Sequence, residues 1–144
     1  MQNDLVEVLE NYATSYGWQF SYGNKANQNL LQSDLIADKI YLLLDPLNRK
    51  RKFSEFGGTG KVIFTGSFLL VVKSTIDLTY HGQGDAQGKY LKNIKPLLQT
   101  SLPLLEDDLN CSAYEIENWD IIDVVDAFDV NTDGIIVKFT LSIL

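Results

Sequence analysis

Asp129-Val130-Asn131-Thr132-Asp133-Gly134 decides how this chain folds, because it reads either as the start of a calcium loop or as a turn between two strands. The first half of an EF-hand loop needs oxygen-bearing side chains at alternate positions and glycine at the sharp bend. Asp129, Asn131, Asp133 and Gly134 supply them. The twelfth position must be a glutamate that closes the cation's coordination with two oxygens, and here it is Thr140. The motif also needs a following helix. Instead Ile135, Val137, Phe139, Leu141 and Ile143 share one parity, and Lys138, Thr140 and Ser142 the other, the pattern of a strand with one buried face.

Upstream, Ile121-Ile122-Asp123-Val124-Val125-Asp126-Ala127-Phe128 is rich in β-branched and aromatic residues. Two strands then flank Asn131 to Gly134, residues that favour turns, and the stretch is read as the tip of a β-hairpin. A calcium-binding loop at residues 129–140 is the lesser alternative.

Working back from the hairpin, Tyr90, Leu91, Ile94, Leu97, Leu98, Leu102, Leu105 and Leu109 form a helical stripe, with Pro96 and Pro103 expected to kink or split it. Before it, residues 61–76 read as a long strand in which Gly66 marks a bulge, and residues 80–88 as a mobile, glycine-rich connection. Residues 48–60 read as a long exposed loop. Lys39 to Leu44 is a strand ended by Asp45-Pro46, residues 23–33 a loop, and Trp18 to Tyr22 a short strand. Leu5, Val8, Leu9, Tyr12 and Tyr16 make an amphipathic helix, with Asn3 as its N-cap and Gly17 at its end. The fold class expected is α+β in one domain, residues 1–144: an antiparallel sheet with an N-terminal helix and a second, Pro-kinked helix before a C-terminal β-hairpin.

The 144 residues are 45% hydrophobic, enough to bury a core. No apolar run approaches the roughly 20 residues that cross a bilayer, and Met1-Gln2-Asn3-Asp4 lacks a signal peptide's basic start. Cys111 is the sole cysteine, so no disulfide forms within the chain and folding in the cytoplasm is expected. A net charge of −7 argues against general nucleic-acid binding. Its distribution says more, since from Glu106 onward acidic residues face a single base, Lys138, while Arg49-Lys50-Arg51-Lys52 lie together in the first half.

Several apparent motifs fail. Phe56-Gly57-Gly58-Thr59-Gly60-Lys61 has Glu55 and Val62 where a phosphate-binding loop needs glycine and serine or threonine. Gly82, Gly84 and Gly88 miss the dinucleotide spacing by one residue. His81 and Cys111 carry no nucleophile motif, and Asp120 and Asp126 lie opposite in strand parity to Asp123, so the three carboxylates do not converge. No catalytic residue, cofactor or metal ligand is assigned. The basic run is expected to pair with the acidic half of a neighbouring copy.

The segments Phe64-Thr65-Gly66-Ser67-Phe68-Leu69-Leu70-Val71-Val72-Lys73-Ser74 and Phe128 to Leu141, with the order helix, sheet, helix, hairpin, resemble small tail-completion or tail-terminator-like proteins of tailed bacteriophages and prophages. The resemblance implies a non-enzymatic virion protein, made in the host cytoplasm and forming a homo-oligomeric ring in the neck or tail. Its partners would be copies of itself and adjoining head or tail proteins, with DNA passing through the lumen as unread cargo. On that reading Arg49, Lys50, Arg51, Lys52, Phe53, Phe56, Lys61, Asp120, Asp123 and Asp126 form the contacts between subunits. The alternative is a small soluble adaptor or ligand-binding module built on Trp18, Phe20, Tyr22 and Trp119.

Overall fold

The computed structural model describes residues 4–23, 39–54, 59–73, 90–127 and 132–144. Helix α1 (Leu5–Ser15) fully buries Leu5 and Leu9 of the expected stripe together with Ala13, and Val8, Tyr12 and Tyr16 pack half-buried beside them. Its N-cap is Asp4 rather than Asn3, with Oδ2 accepting from the Val6 amide. Gly17, at φ 81°, ends it: Gly17 donates to the Thr14 carbonyl and Trp18 to that of Ala13, the paired bonds that a left-handed glycine permits.

Six strands follow: β1 (Gln19–Tyr22), β2 (Tyr41–Leu44), β3 (Asn48–Phe53), β4 (Thr59–Lys73), β5 (Glu115–Ala127) and β6 (Thr132–Ile143). They form one sheet ordered β1-β2-β4-β6-β5, with β3 also on β4. Every pairing is antiparallel except β1 with β2, which is parallel, so the sheet is mixed at that edge. β2 and β3 lie end to end along one side of β4, β2 against Phe68–Val71 and β3 against Thr59–Thr65.

The exposed loop expected at residues 48–60 is therefore largely strand. Charge hid it: all six β3 residues are exposed, so it has no alternating apolar face to read. The bulge expected at Gly66 is also absent, since β4 and β6 pair without a shift from Val62 to Lys73. Gly66 is needed for clearance instead. A Cβ there would lie 2.7 Å from the Leu47 side chain, which crosses β4 where β2 hands over to β3.

Before β5, wide π-helical turns at Tyr90–Ile94 and Leu97–Ser101 lead into α2 (Leu102–Asn110). The two prolines give only a modest kink, not two segments. Pro96 precedes the second wide turn and Pro103 follows it closely, both beside turns where the i to i−4 ladder is already relaxed, as in the Leu102 amide's bond to the Leu97 carbonyl. Ile94, Leu97, Leu102, Leu105 and Leu109 pack with α1 onto Phe64, Phe68, Leu70, Ile135, Val137, Phe139 and Leu141, the helix-side face of the sheet. Tyr16 holds the helices together, donating its hydroxyl to the Asp108 carboxylate with the Leu104 carbonyl also within hydrogen-bond distance. Tyr41, Leu43, Leu69 and Val71 form a smaller buried cluster on the opposite face.

The C-terminal hairpin is present, but its link is residues 128–131, outside the described residues. Thr132, Asp133 and Gly134, read as turn residues, belong to β6. Residues 80–88, with His81 and the glycine triplet, also lie outside the described residues, as does the loop 23–33 beyond Gly23.

Candidate assembly surface: two sheet edges of opposite charge

Asp133 and Gly134, the two residues that most suggested a cation, have packing roles. Asp133 is fully buried, and its Oδ2 accepts a 2.8 Å hydrogen bond from Asn93 Nδ2 on the helical run. A Cβ on Gly134 would collide with the Leu70 carbonyl and come within 2.7 Å of Val71 Cα. The glycine is thus required by the close approach of β4 and β6, not by a turn. With residues 132–140 in strand, the helix-flanked calcium loop is not formed. Among the described residues, no group of three or more His, Cys, Asp or Glu side chains is placed to hold a metal.

The four aromatics of the ligand-module alternative are separated by the sheet, since Trp18, Phe20 and Tyr22 lie on or beside β1 and Trp119 lies on β5 at the other end of the strand order. Trp18 is buried against Tyr16 at 4.7 Å, and Trp119 packs on Phe68 and Phe139 at 5.7 and 6.3 Å. Phe20 is partly buried against the core, and the exposed Tyr22 accepts from the Leu47 amide. The Trp119 indole N–H is buried without a partner at full hydrogen-bonding distance. Its interaction with Glu106 is too weak to offset that carboxyl's desolvation, and burial raises the Glu106 pKa above the ordinary glutamate range.

The charged residues instead gather on the rims of the sheet. β3 carries Arg49, Lys50, Arg51, Lys52 and Phe53, all exposed, Phe53 at 69%. Arg49 and Arg51 share the helix-side face, paired with Phe64 and Val62, while Lys50 and Lys52 share the other, paired with Ile63 and Lys61. Arg49 is the anchored member. It donates to Asp4 Oδ2 at 2.9 Å and lies 5.8 Å from the centre of the Phe64 ring, and the Asp4 hydrogen bond raises its pKa further. Lys61 pairs within the chain, donating to Glu117 Oε1 at 3.2 Å. Phe56 lies outside the described residues.

β5 is the opposite edge, bearing Glu115, Glu117, Asp120, Asp123 and Asp126. Asp120 pairs in register with Lys138 and Asp123 with Ile135, so these two aspartates project from opposite faces. Asp126 lies in β5 but its side chain is outside the described residues. Between the aspartates, Ile121 and Ile122 are 41% and 46% exposed. Glu115 and Glu117 lie before the β-branched stretch that marks a strand from Ile121 in the sequence, and Ile121 and Ile122 are marked there as strand and not as contact residues. The signal was present: Glu115-Ile116-Glu117 and Asn118-Trp119-Asp120 each alternate, with a one-residue slip between them. The structure has a register shift there, between Ile116 and Asn118.

The concavities beside β5 are open and shallow. One of about 340 Å³ is lined by Thr65, Gly66, Asn118, Asp120, Lys138 and their neighbours, and a second of about 350 Å³ by Lys61, Glu115 and the C-terminal residues. No described helix is long and apolar enough to cross a membrane. Comparison with protein-family models, with curated proteins and with solved structures returns no match.

Proposed function

We propose that this chain is a non-catalytic structural subunit that joins head-to-tail with copies of itself into a ring in the neck or tail of a tailed phage. The observation that carries the reading is the placement of a basic edge, β3, and an acidic edge, β5, on opposite sides of one sheet. Identical subunits can close a ring only through two different, complementary surfaces, and these edges supply them. The excess of acid, net −7, suits a lumen that DNA traverses without sticking. The assignment to a virion, with neighbouring head or tail proteins as partners, rests on the resemblance carried by residues 64–74 and 128–141.

Electron microscopy of the purified protein tests the assembly half, with closed rings of uniform diameter as the expected result. The genes beside this one test the virion half: capsid, portal or tail-tube genes are expected, and a metabolic operon would overturn it.

A further inference from the structure

The strand directions fix how the two edges can meet. β3 is antiparallel to β4, β4 to β6 and β6 to β5, so β3 and β5 run in opposite directions. A second copy set beside the first in the same orientation brings its β3 against the first copy's β5 as an antiparallel neighbour, with the helix layers on the same side. Each edge strand pairs with one strand among the described residues and is exposed over most of its length. Exposed edges of this kind are where strands are added.

We infer, on the head-to-tail reading above, that β3 of one copy adds antiparallel to β5 of the next, making one sheet continuous across subunits. One register matches both faces and both charges. Arg49 lies opposite Asp123 on the helix side and Lys52 opposite Asp120 on the other, while Lys50 and Arg51 lie opposite Ile122 and Ile121. The two exposed isoleucines are then covered by the alkyl stems of the basic side chains. Arg49 can serve Asp123 while holding Asp4, because a guanidinium has five donors. The edges also disfavour the wrong pairings. β3 against β3 sets base against base, and β5 against β5 sets acid against acid, so a two-fold dimer through either edge is repelled.

A charge-swap mixture tests this. The Lys52→Glu variant keeps a native β5 and reverses the charge that β3 sets opposite Asp120, whereas Asp120→Lys keeps a native β3 and reverses the charge that β5 sets opposite Lys52. Each alone is expected to lose assembly by about tenfold or more in apparent affinity. Mixed one to one they are expected to regain it, because the two native edges fit one another and so do the two reversed ones. In a Cys111→Ser background, Lys52→Cys with Asp120→Cys is expected to give a disulfide ladder, and either cysteine alone only scattered dimers. Suppose the wild type assembles, both variants are folded by circular dichroism, and the mixture stays dissociated or either variant assembles like wild type. The strand pairing is then overturned while the ring reading stands. A wild type that remains monomeric and gives no ladder at any concentration overturns both.

Discussion

Replacing Asn93 with alanine probes the reassignment of Asp133 from cation ligand to structural acceptor. Asp133 is fully buried and Asn93 nearly so, and the 2.8 Å bond between them ties the base of β6 to the helical run. Removing the amide leaves a buried carboxylate short of a donor, which costs about 1.5–3 kcal/mol for a hydrogen bond to a charged group. For a chain of this length roughly 3 °C of melting temperature goes with each kcal/mol, so a fall of about 5–9 °C is expected in a thermal melt, with a matching loss in urea. Asp133→Asn should cost less, since its carbonyl still accepts from Asn93 and no charge is buried. Asn93→Ala combined with Asp133→Ala should cost clearly less than the sum of the two. Additive losses in that cycle would refute the reasoning. So would a melting temperature that rises with millimolar calcium and stops rising in Asp133→Asn, because a cation binding the folded chain must stabilise it.

Gly134→Ala should destabilise by about 1–3 kcal/mol or more in urea titration, because its Cβ would meet the Leu70 carbonyl and lie within 2.7 Å of Val71 Cα; a neutral result would contradict the strand approach described. Asp4→Ala removes both the cap of α1 and the acceptor of Arg49, and should cost about 1 kcal/mol, whereas Asp4→Asn should recover most of it. For Glu106, a pKa raised in the folded state means that its ionised form opposes folding. The cost is absent below the unfolded glutamate pKa and grows as pH rises through the folded one. Glu106→Gln should therefore raise the melting temperature at pH 7, with the gain disappearing in acid; an equal gain at all pH values would point to another cause.

Much of the fold was legible because its signals are local. The stripe of Leu5, Val8, Leu9, Tyr12 and Tyr16, the left-handed Gly17 and the alternation of Ile135 to Ile143 each follow from one segment's own pattern. β3 was not legible. A strand exposed along its whole length has no apolar period, and Arg49 to Lys52 look like solvated loop until β4 is seen beside them. Gly66 and Gly134 are ambiguous in sequence for a related reason, since glycine is needed both where the chain bends and where another element comes close, and only three-dimensional neighbours distinguish the two. The candidate surface was half legible. Segregated charge is a property of the sequence, but its placement on opposite edges comes from the order of strands, which puts β4 and β6 between β3 and β5.

Sedimentation velocity of the purified full-length chain, across micromolar to near-millimolar concentration at low salt, tests the central claim of head-to-tail assembly most directly. The expected result is a concentration-dependent closed species of defined size that weakens as salt approaches 1 M, where screening shortens to about 3 Å. A single monomer boundary at every concentration and salt would contradict it.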